Sequence, residues 1–105
     1  MDCIYFIYAP HVNKVKIGVT NDLDRRMAAI QSMSPVDIVC IGTIDSPPYK
    51  QLYSMEAKLH KKFRMYRSHG EWFNCFGGLE DYLQTFYQIK RYKMNDRTSV
   101  YIQGK

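Results

Sequence analysis

Residues 3–20, CIYFIYAPHVNKVKIGVT, contain two runs that predict a β-hairpin. The first run, residues 3–9, is rich in β-branched and aromatic side chains, and the second, residues 14–20, alternates apolar and polar side chains. Both features are typical of strands, and residues 11–13 behind Pro10 form the predicted loop between them. Two antiparallel strands are therefore expected here.

Three helices and two further strands are predicted downstream. Asn21 is the predicted N-cap of the first helix, which ends before Pro35. Residues 36–45 are apolar on both faces, which predicts a central strand. The other predicted elements are a helix over residues 48–64, a short strand over residues 71–76 and a helix over residues 79–93.

Length and composition indicate one globular domain. The chain has 105 residues, of which 46% are hydrophobic, so one modest core can form but not two. We assign residues 1–93 to this domain and expect the polar residues 94–105 to be a tail, either an edge strand or disordered. No apolar run has the length of a membrane span or a signal-peptide core, so no membrane partner is expected. Cys3, Cys40 and Cys75 form no CxxC motif, which favours a reducing cytoplasm over a zinc or disulfide framework.

Positive charge is concentrated in the second part of the chain. Residues 1–45 carry four Lys/Arg against five Asp/Glu, whereas residues 46–105 carry eleven against five. Such a charge run is either a solvated helix face that complements the helix dipole or a surface for a polyanion such as a nucleic acid. The bases on or just after the second predicted helix are Lys50, Lys58, Lys61, Lys62, Arg64 and Arg67.

Glu56 occupies an unexpected position in the second predicted helix. At about 100° per residue, it falls inside the apolar stripe formed by Leu52, Leu59 and Phe63. A carboxylate in that place is costly unless a cation or several donors meet it. Glu56 is therefore either half of a structural salt bridge at the rim of the core or a metal ligand aimed into a site.

Five short motifs occur in a specific order along the predicted elements. They are Ile4-Tyr5, Lys16-Ile17-Gly18, Asp24-Arg25-Arg26, Glu56 with Leu59-His60, and Gly70-Glu71-Trp72-Phe73. In this order they resemble the GIY-YIG endonuclease superfamily, in particular the small phage-type and fungal branch with KIG in place of YIG and a closing GEWF. The resemblance covers about residues 3–73.

The resemblance implies a fold and a chemistry. The fold is an α+β sandwich in which a small three-stranded antiparallel sheet is flanked by helices, and the reaction is hydrolysis of DNA with one Mg²⁺ or Mn²⁺ ion. Tyr5 would help to activate or orient the attacking water, and Lys16 would take the place of a second tyrosine. Arg26 would contact the scissile phosphate, and Glu56 would bind the metal. A standalone phage, viral or bacterial protein is implied, acting in the cytoplasm (the host's, for a phage or virus) as a monomer or weak homodimer.

Elementary chemistry fits these roles and leaves structural alternatives open. Tyr5, with an ordinary pKa of about 10, becomes a base only where Lys16 or the cation stabilises its phenolate; otherwise it is a strand aromatic packed across the hairpin. The two residues can meet if the hairpin register pairs them. Helix rotation puts Arg26 about 60° from Leu23 and Arg25 about 160° away on the water side. Arg26 is either a phosphate ligand or a core-edge cation with a packed stem.

Other candidate residues surround this set. His60, one helical turn after Glu56, is a metal ligand, an acid for the leaving oxygen, or a histidine that hydrogen-bonds a backbone carbonyl. Trp72 is assigned to the core, whereas Glu71 either closes the site or starts an edge strand. The predicted substrate-binding residues are Lys58, Lys61, Lys62 and Arg64.

Two other functions compete with a DNA endonuclease. The small size of the chain favours a non-catalytic nucleic-acid-binding or regulatory module on the same scaffold. The combination of Tyr5, Lys16, Arg26 and Glu56 favours the enzyme, since a binding module need not keep an acid beside a phosphate. An RNA-directed nuclease is the third alternative, in which exposed tyrosines stack on unpaired bases.

Overall fold

A computed structural model of the chain describes residues 2–44 and 49–87, which form a five-stranded sheet and three α-helices. The strands are β1 (Cys3–Ala9), β2 (Lys14–Thr20), β3 (Val39–Ile44), β4 (Arg67–His69) and β5 (Trp72–Asn74). The helices are α1 (Leu23–Met33), α2 (Tyr49–Lys62) and α3 (Gly77–Tyr87), and Arg64–Tyr66 forms a 3₁₀ turn. The predicted α+β class is confirmed.

The strand order is β3-β1-β2-β5-β4, and every neighbouring pair is antiparallel. The three-stranded sheet implied by the family resemblance was wrong. β5 lies within the strand predicted over residues 71–76, whereas β4, with three residues, is too short to show an alternation in the sequence. The prediction of a central strand over residues 36–45 was also wrong, since β3 lies at the edge of the sheet. Residues of β3 pack into cores on both faces of the sheet, which explains its apolar character although, among the strands that the structure describes, it pairs on one side only, with β1.

The sheet separates two hydrophobic cores. Alternation along β1 places Ile4, Phe6 and Tyr8 on the face covered by α2 and α3. Tyr5 and Ile7 point to the opposite face, where α1 covers them. All seven residues of β1 are buried, and its alternating side chains contribute to both cores.

The hairpin turn is held by Asn13, which is buried and has a positive φ of 54°. Asparagine tolerates this left-handed conformation better than most residues. Its side chain accepts a hydrogen bond from the Tyr8 hydroxyl and donates one to the carbonyl oxygen of Cys75. In the resulting register, Tyr5 lies opposite Gly18, so the pairing of Tyr5 with Lys16 that the sequence left open does not occur.

The helix boundaries differ from the predicted ones by a few residues. Asp22 caps α1 in place of the predicted Asn21, because its side chain accepts a hydrogen bond from the backbone amide of Arg25. α3 begins at Gly77, two residues before the predicted start. The predicted end of this helix at residue 93 and the predicted tail lie outside the described residues. Within the described ranges, no helix combines the length and the apolar character that crossing a bilayer requires.

Candidate active site

The candidate site lies at the edge of β2, just beyond the end of β5. The pairing of β5 with β2 stops at Lys16, and the last link is a hydrogen bond of 3.1 Å from the Ile17 amide to the Glu71 carbonyl oxygen. The next residue on β2, Gly18, lies under the ring of Tyr5. A Cβ at Gly18 would come within 2.6 Å of Tyr5 Cζ and 2.9 Å of Glu71 Oε1. Because Gly18 has no side chain, there is room beside it for the Tyr5 ring and the Glu71 carboxylate to lie close together.

Three potential metal ligands, Glu56, His60 and Glu71, form an acid cluster at this edge. One ligand atom from each lies within 4.8 Å of the others, and all three side chains are partly buried. Among the described residues, no lysine or arginine lies within ion-pair distance of Glu56. Burial, followed by the charge of Glu71, raises the pKa of Glu56 above its usual 4.5 despite the opposing effect of His60. Two adjacent carboxylates of this kind suit a divalent cation better than a structural salt bridge.

His60 is held by the backbone of β2. Its Nε2 donates a hydrogen bond to the Ile17 carbonyl oxygen at 2.9 Å and lies 3.8 Å from Glu56 Oε2. Because a carbonyl oxygen only accepts, this nitrogen carries the proton and offers no lone pair to a metal. The edge of the ring packs against Phe73, with 5.0 Å between the ring centroids. This geometry corresponds to the carbonyl-bonded alternative, and the catalytic role of His60 stays a prediction.

The hydroxyl of Tyr5 is a buried polar group with no hydrogen bond of regular geometry to any described residue. Burial, followed by the Glu71 carboxylate, raises the pKa of Tyr5 to about 12, although the nearby Arg26 guanidinium acts in the opposite direction. The phenol is therefore neutral at pH 7 in the absence of a cation. Its unsatisfied oxygen can accept or donate a hydrogen bond to a water or to a substrate oxygen.

Cationic side chains stand beside Tyr5. The Nζ of Lys16 lies 3.6 Å from Glu71 Oε1, and Arg26 reaches from α1 toward the tyrosine hydroxyl. Lys16, Arg25 and Arg26 line a polar depression between β2 and α1. Both arginines are exposed, but only Arg26 acts electrostatically on Tyr5, which agrees with the inward rotation predicted for it. A depression with three cationic side chains suits an anion such as a phosphate group.

The predicted substrate-binding residues are not part of this arrangement. Lys58 and Lys61 lie about 140–160° around α2 from Glu56. The Nζ of Lys62 lies over the Phe63 and Tyr82 rings, 5.4 Å and 5.2 Å from their centroids. If these residues contact a substrate, they do so away from the acid cluster, and their role in substrate binding stays a prediction. The side chains concerned, all exposed, are Lys58, Lys61, Lys62 and Arg64.

Glu71 is the residue of this site that the sequence left unassigned. A carboxylate at the start of a short strand has no periodicity that tells whether it faces a core, a site or water. The available signal was the glycine before it: Gly70 has a positive φ of 55°, and the turn it makes returns the chain to β2. The hydrogen bond from Ile17 to Glu71 then places the carboxylate beside Gly18.

The fold and the site define a small α+β domain that carries paired acids and cations at one edge of its sheet. A family model for the T5orf172 domain matches residues 2–96, so the chain belongs to the T5orf172 domain family, which is related to nuclease-type modules. No curated protein and no solved structure matches the chain. The family is compatible with a nuclease-like or nucleic-acid-binding role. The finer resemblance to GIY-YIG enzymes stays a prediction.

Proposed function

We propose that this protein is a divalent-metal-dependent endonuclease that hydrolyses DNA phosphodiester bonds. The observation that carries the proposal is the convergence of Tyr5, Arg26, Glu56 and Glu71 at one edge of the sheet. A structural salt bridge would put a lysine or an arginine against Glu56, whereas among the described residues the groups beside it are a second carboxylate and the imidazole of His60, which is hydrogen-bonded to a backbone carbonyl. Membership of a family related to nuclease-type modules supports the same function.

The donor set fits a divalent cation. Glu56 and Glu71 would hold it through carboxylate oxygens, which Mg²⁺ and Mn²⁺ prefer. Its charge would relieve the repulsion between the two acids that contributes to the raised pKa of Glu56. When bound, such an ion supplies positive charge for the phosphoryl oxygens of the substrate.

The chain's own residues would perform the remaining steps. Arg26 would bind the phosphoryl oxygens through its planar guanidinium, and Lys16 would hold Glu71 in place. Tyr5, which is neutral and has no hydrogen bond of regular geometry to any described residue, would orient the attacking water rather than deprotonate it. The water oxygen would bond to phosphorus and release a proton to solvent, and the bond from phosphorus to one sugar oxygen would break. That oxygen takes up a proton, so the products are a phosphate monoester and a sugar hydroxyl.

The test is a cleavage assay on plasmid DNA, single-stranded DNA and RNA in Mg²⁺, Mn²⁺ or EDTA. We expect DNA to be cut in the presence of either cation and to remain intact in EDTA. Binding to DNA without cutting in either cation would identify a non-catalytic module instead. Cutting of RNA with DNA left intact would identify an RNA-directed nuclease.

Matched variants connect the activity to the acid cluster. Glu56→Gln and Glu71→Gln should reduce cutting below detection while DNA binding stays within a few-fold of wild type, because each removes a ligand and no cationic contact. Glu80→Gln, on α3 and outside the cluster, is the control and should cut like the wild type. Cutting by Glu56→Gln at the wild-type rate in Mg²⁺ would refute the metal assignment.

A further inference from the structure

An apolar cavity of about 360 Å³ adjoins the polar depression. Its walls include Val12, Ile30, Met33, Val36 and the ring of Trp72. The cavity and the depression share one boundary, because Ile30, Met33 and Lys16 line both. A group held in the cavity is therefore the immediate neighbour of an anion held by Arg26.

We propose that this cavity binds one unstacked nucleobase of the strand whose phosphate lies against Arg26. The preferred substrate is then a nucleic acid with an unpaired nucleotide next to the cut, such as a single strand or a distorted duplex. This inference rests on the proposed function, because the proposed function places the substrate phosphate in the polar depression.

The size and the walls of the cavity suit a base. Its volume lies near the lower end of the roughly 300–1,000 Å³ that small-ligand pockets span, so it has room for a single base and not for a stacked pair. A base within a duplex is covered on both faces and paired at its edge, so it must leave the stack to enter. Proteins hold such bases between aromatic and apolar side chains, which Trp72, Met33 and Val36 provide here.

The charges around the cavity favour the same occupant. Among the described residues, Lys14 and Lys16 line the cavity and no acidic residue does. Lys14 is fixed in place, since its Nζ donates to Asn74 Oδ1 at 2.7 Å and to Ser68 Oγ at 3.0 Å. The Nζ of Lys16 lies 5.4 Å from the centre of the Trp72 ring. An apolar side chain of a protein partner would contact the apolar walls but would leave both lysine ammonium groups without a partner. A nucleotide would contact the walls through its base and the ammonium groups through its phosphate.

Trp72 reports directly on the cavity, because it is the single tryptophan of the chain. Its fluorescence is measured in EDTA, where no cutting is expected, while three oligodeoxynucleotides of equal length are titrated: a single strand, a fully abasic strand and a perfect duplex. We expect the single strand to quench Trp72 and to bind about ten-fold more tightly than the abasic strand, on the scale of one base stacked on an aromatic ring. The duplex should bind without comparable quenching.

Two methionines provide a matched pair of variants. Met33 lines the cavity and Met65 does not, and both side chains are 78% exposed, so neither substitution threatens the core. Met33→Ala should lower the preference for the base-carrying strand by about three-fold, since it removes apolar contact with the base. Met65→Ala should keep the full preference.

The outcomes separate this inference from the proposed function. Equal affinity for the abasic and base-carrying strands, with no quenching of Trp72, would overturn the base site even if plasmid DNA is still cut. Quenching and base preference that depend on Met33 would support the base site even if no nucleic acid is cut in Mg²⁺ or Mn²⁺, and in that case the nuclease proposal alone fails.

Discussion

At the scale of single residues, the acid cluster holds two adjacent carboxylates whose mutual repulsion is not relieved in the metal-free protein. Glu56 is half-buried beside a second carboxylate, and the His60 imidazole that could offset its charge is hydrogen-bonded to a backbone carbonyl. Repulsion between neighbouring carboxylates is common in cation-binding sites without their ion, because the bound cation neutralises it. Because this repulsion acts only when both carboxylates are ionised, it makes the free energy of unfolding depend on pH.

We expect Glu56→Gln to gain stability relative to the wild type as the pH rises, in the absence of metal. Because the pKa of Glu56 is raised above 4.5 in the folded state, the folded protein binds this proton more tightly than the unfolded chain does. The stabilising contribution is therefore complete below about pH 4.5 and is lost as the pH rises through the folded-state pKa. Urea denaturation in EDTA at pH 4 and pH 8 measures the difference.

Glu80→Gln serves as the control for this titration and should follow the wild type at both pH values. Addition of Mg²⁺ at pH 8 should stabilise the wild type and leave Glu56→Gln unchanged, since a ligand that binds only the folded state adds to its stability. A difference between wild type and Glu56→Gln that is the same at both pH values would contradict the raised pKa.

Gly18 is the second residue at which a single substitution has a specific expected effect. In Gly18→Ala, the new Cβ would overlap the Tyr5 hydroxyl and lie 2.6 Å from Tyr5 Cζ, so we expect a loss of about 1–3 kcal/mol in the free energy of unfolding together with reduced cutting. Gly78→Ala is the control, because among the described residues its Cβ would contact only the Tyr66 hydroxyl, at 3.4 Å, and its stability should stay within about 0.5 kcal/mol of wild type. Thermal and urea denaturation test both variants. Wild-type stability of Gly18→Ala would mean that Tyr5 does not lie over Gly18.

At the scale of elements, α1 carries two adjacent arginines that the helix makes unequal. Arg26 acts on the Tyr5 hydroxyl, whereas the backbone amide of Arg25 is bonded to the Asp22 cap and its side chain lines the polar depression without acting on Tyr5. The two adjacent cations therefore differ in their relation to the tyrosine. The rotation of α1 decides which of them supports cutting.

We expect Arg26→Ala to lower the single-turnover cutting rate by about 10²-fold or more, as when a preorganised donor to the transition state is lost. Arg25→Ala should leave that rate nearly unchanged and, where Arg25 contacts DNA, should reduce the salt dependence of binding by about one phosphate contact. Rapid-quench kinetics at saturating enzyme separates the two effects. Equal losses for both variants would show that the functional arginine has been assigned wrongly.

At the scale of the whole molecule, the acid cluster and the basic surface of α2 face different directions. Glu56 and His60 point to the edge of β2, while Lys58 and Lys61 lie on the far side of the same helix. Charge on that surface can attract and retain a polyanion without touching the reacting phosphate. Binding and cutting should therefore respond to different substitutions.

We expect the double variant Lys58→Gln/Lys61→Gln to weaken DNA binding and to reduce the slope of log affinity against log salt by about two, with the cutting rate at saturation unchanged. Fluorescence anisotropy from low to moderate salt gives the slope. Asp81→Asn, which removes an exposed charge of opposite sign on α3, is the control and should not lower the slope. An unaltered slope in the double variant would mean that these lysines form only a solvated helix face.

The sequence by itself determined the local elements and the unusual acid. The β-branched and aromatic run of residues 3–9 and the alternation in residues 14–20 were sufficient to predict the hairpin. Steps of three and four residues were sufficient to predict α2 and to find Glu56 within its apolar stripe. Both inferences hold because the side-chain direction of a regular element repeats with a fixed period. The same reasoning predicted the inward rotation of Arg26 relative to Arg25, whereas the α+β class was implied by the family resemblance.

Only the tertiary structure decided which of these groups meet. The register that puts Tyr5 opposite Gly18, the edge position of β3 and the place of Glu71 all depend on how strands distant in sequence pair. The bond between His60 and the Ile17 carbonyl joins α2 to β2 in the same way. Periodicity tells which face of its own element a residue occupies, but the partner across the sheet is set by the packing of the whole chain, and strands as short as β4 and β5 have no period from which to infer it.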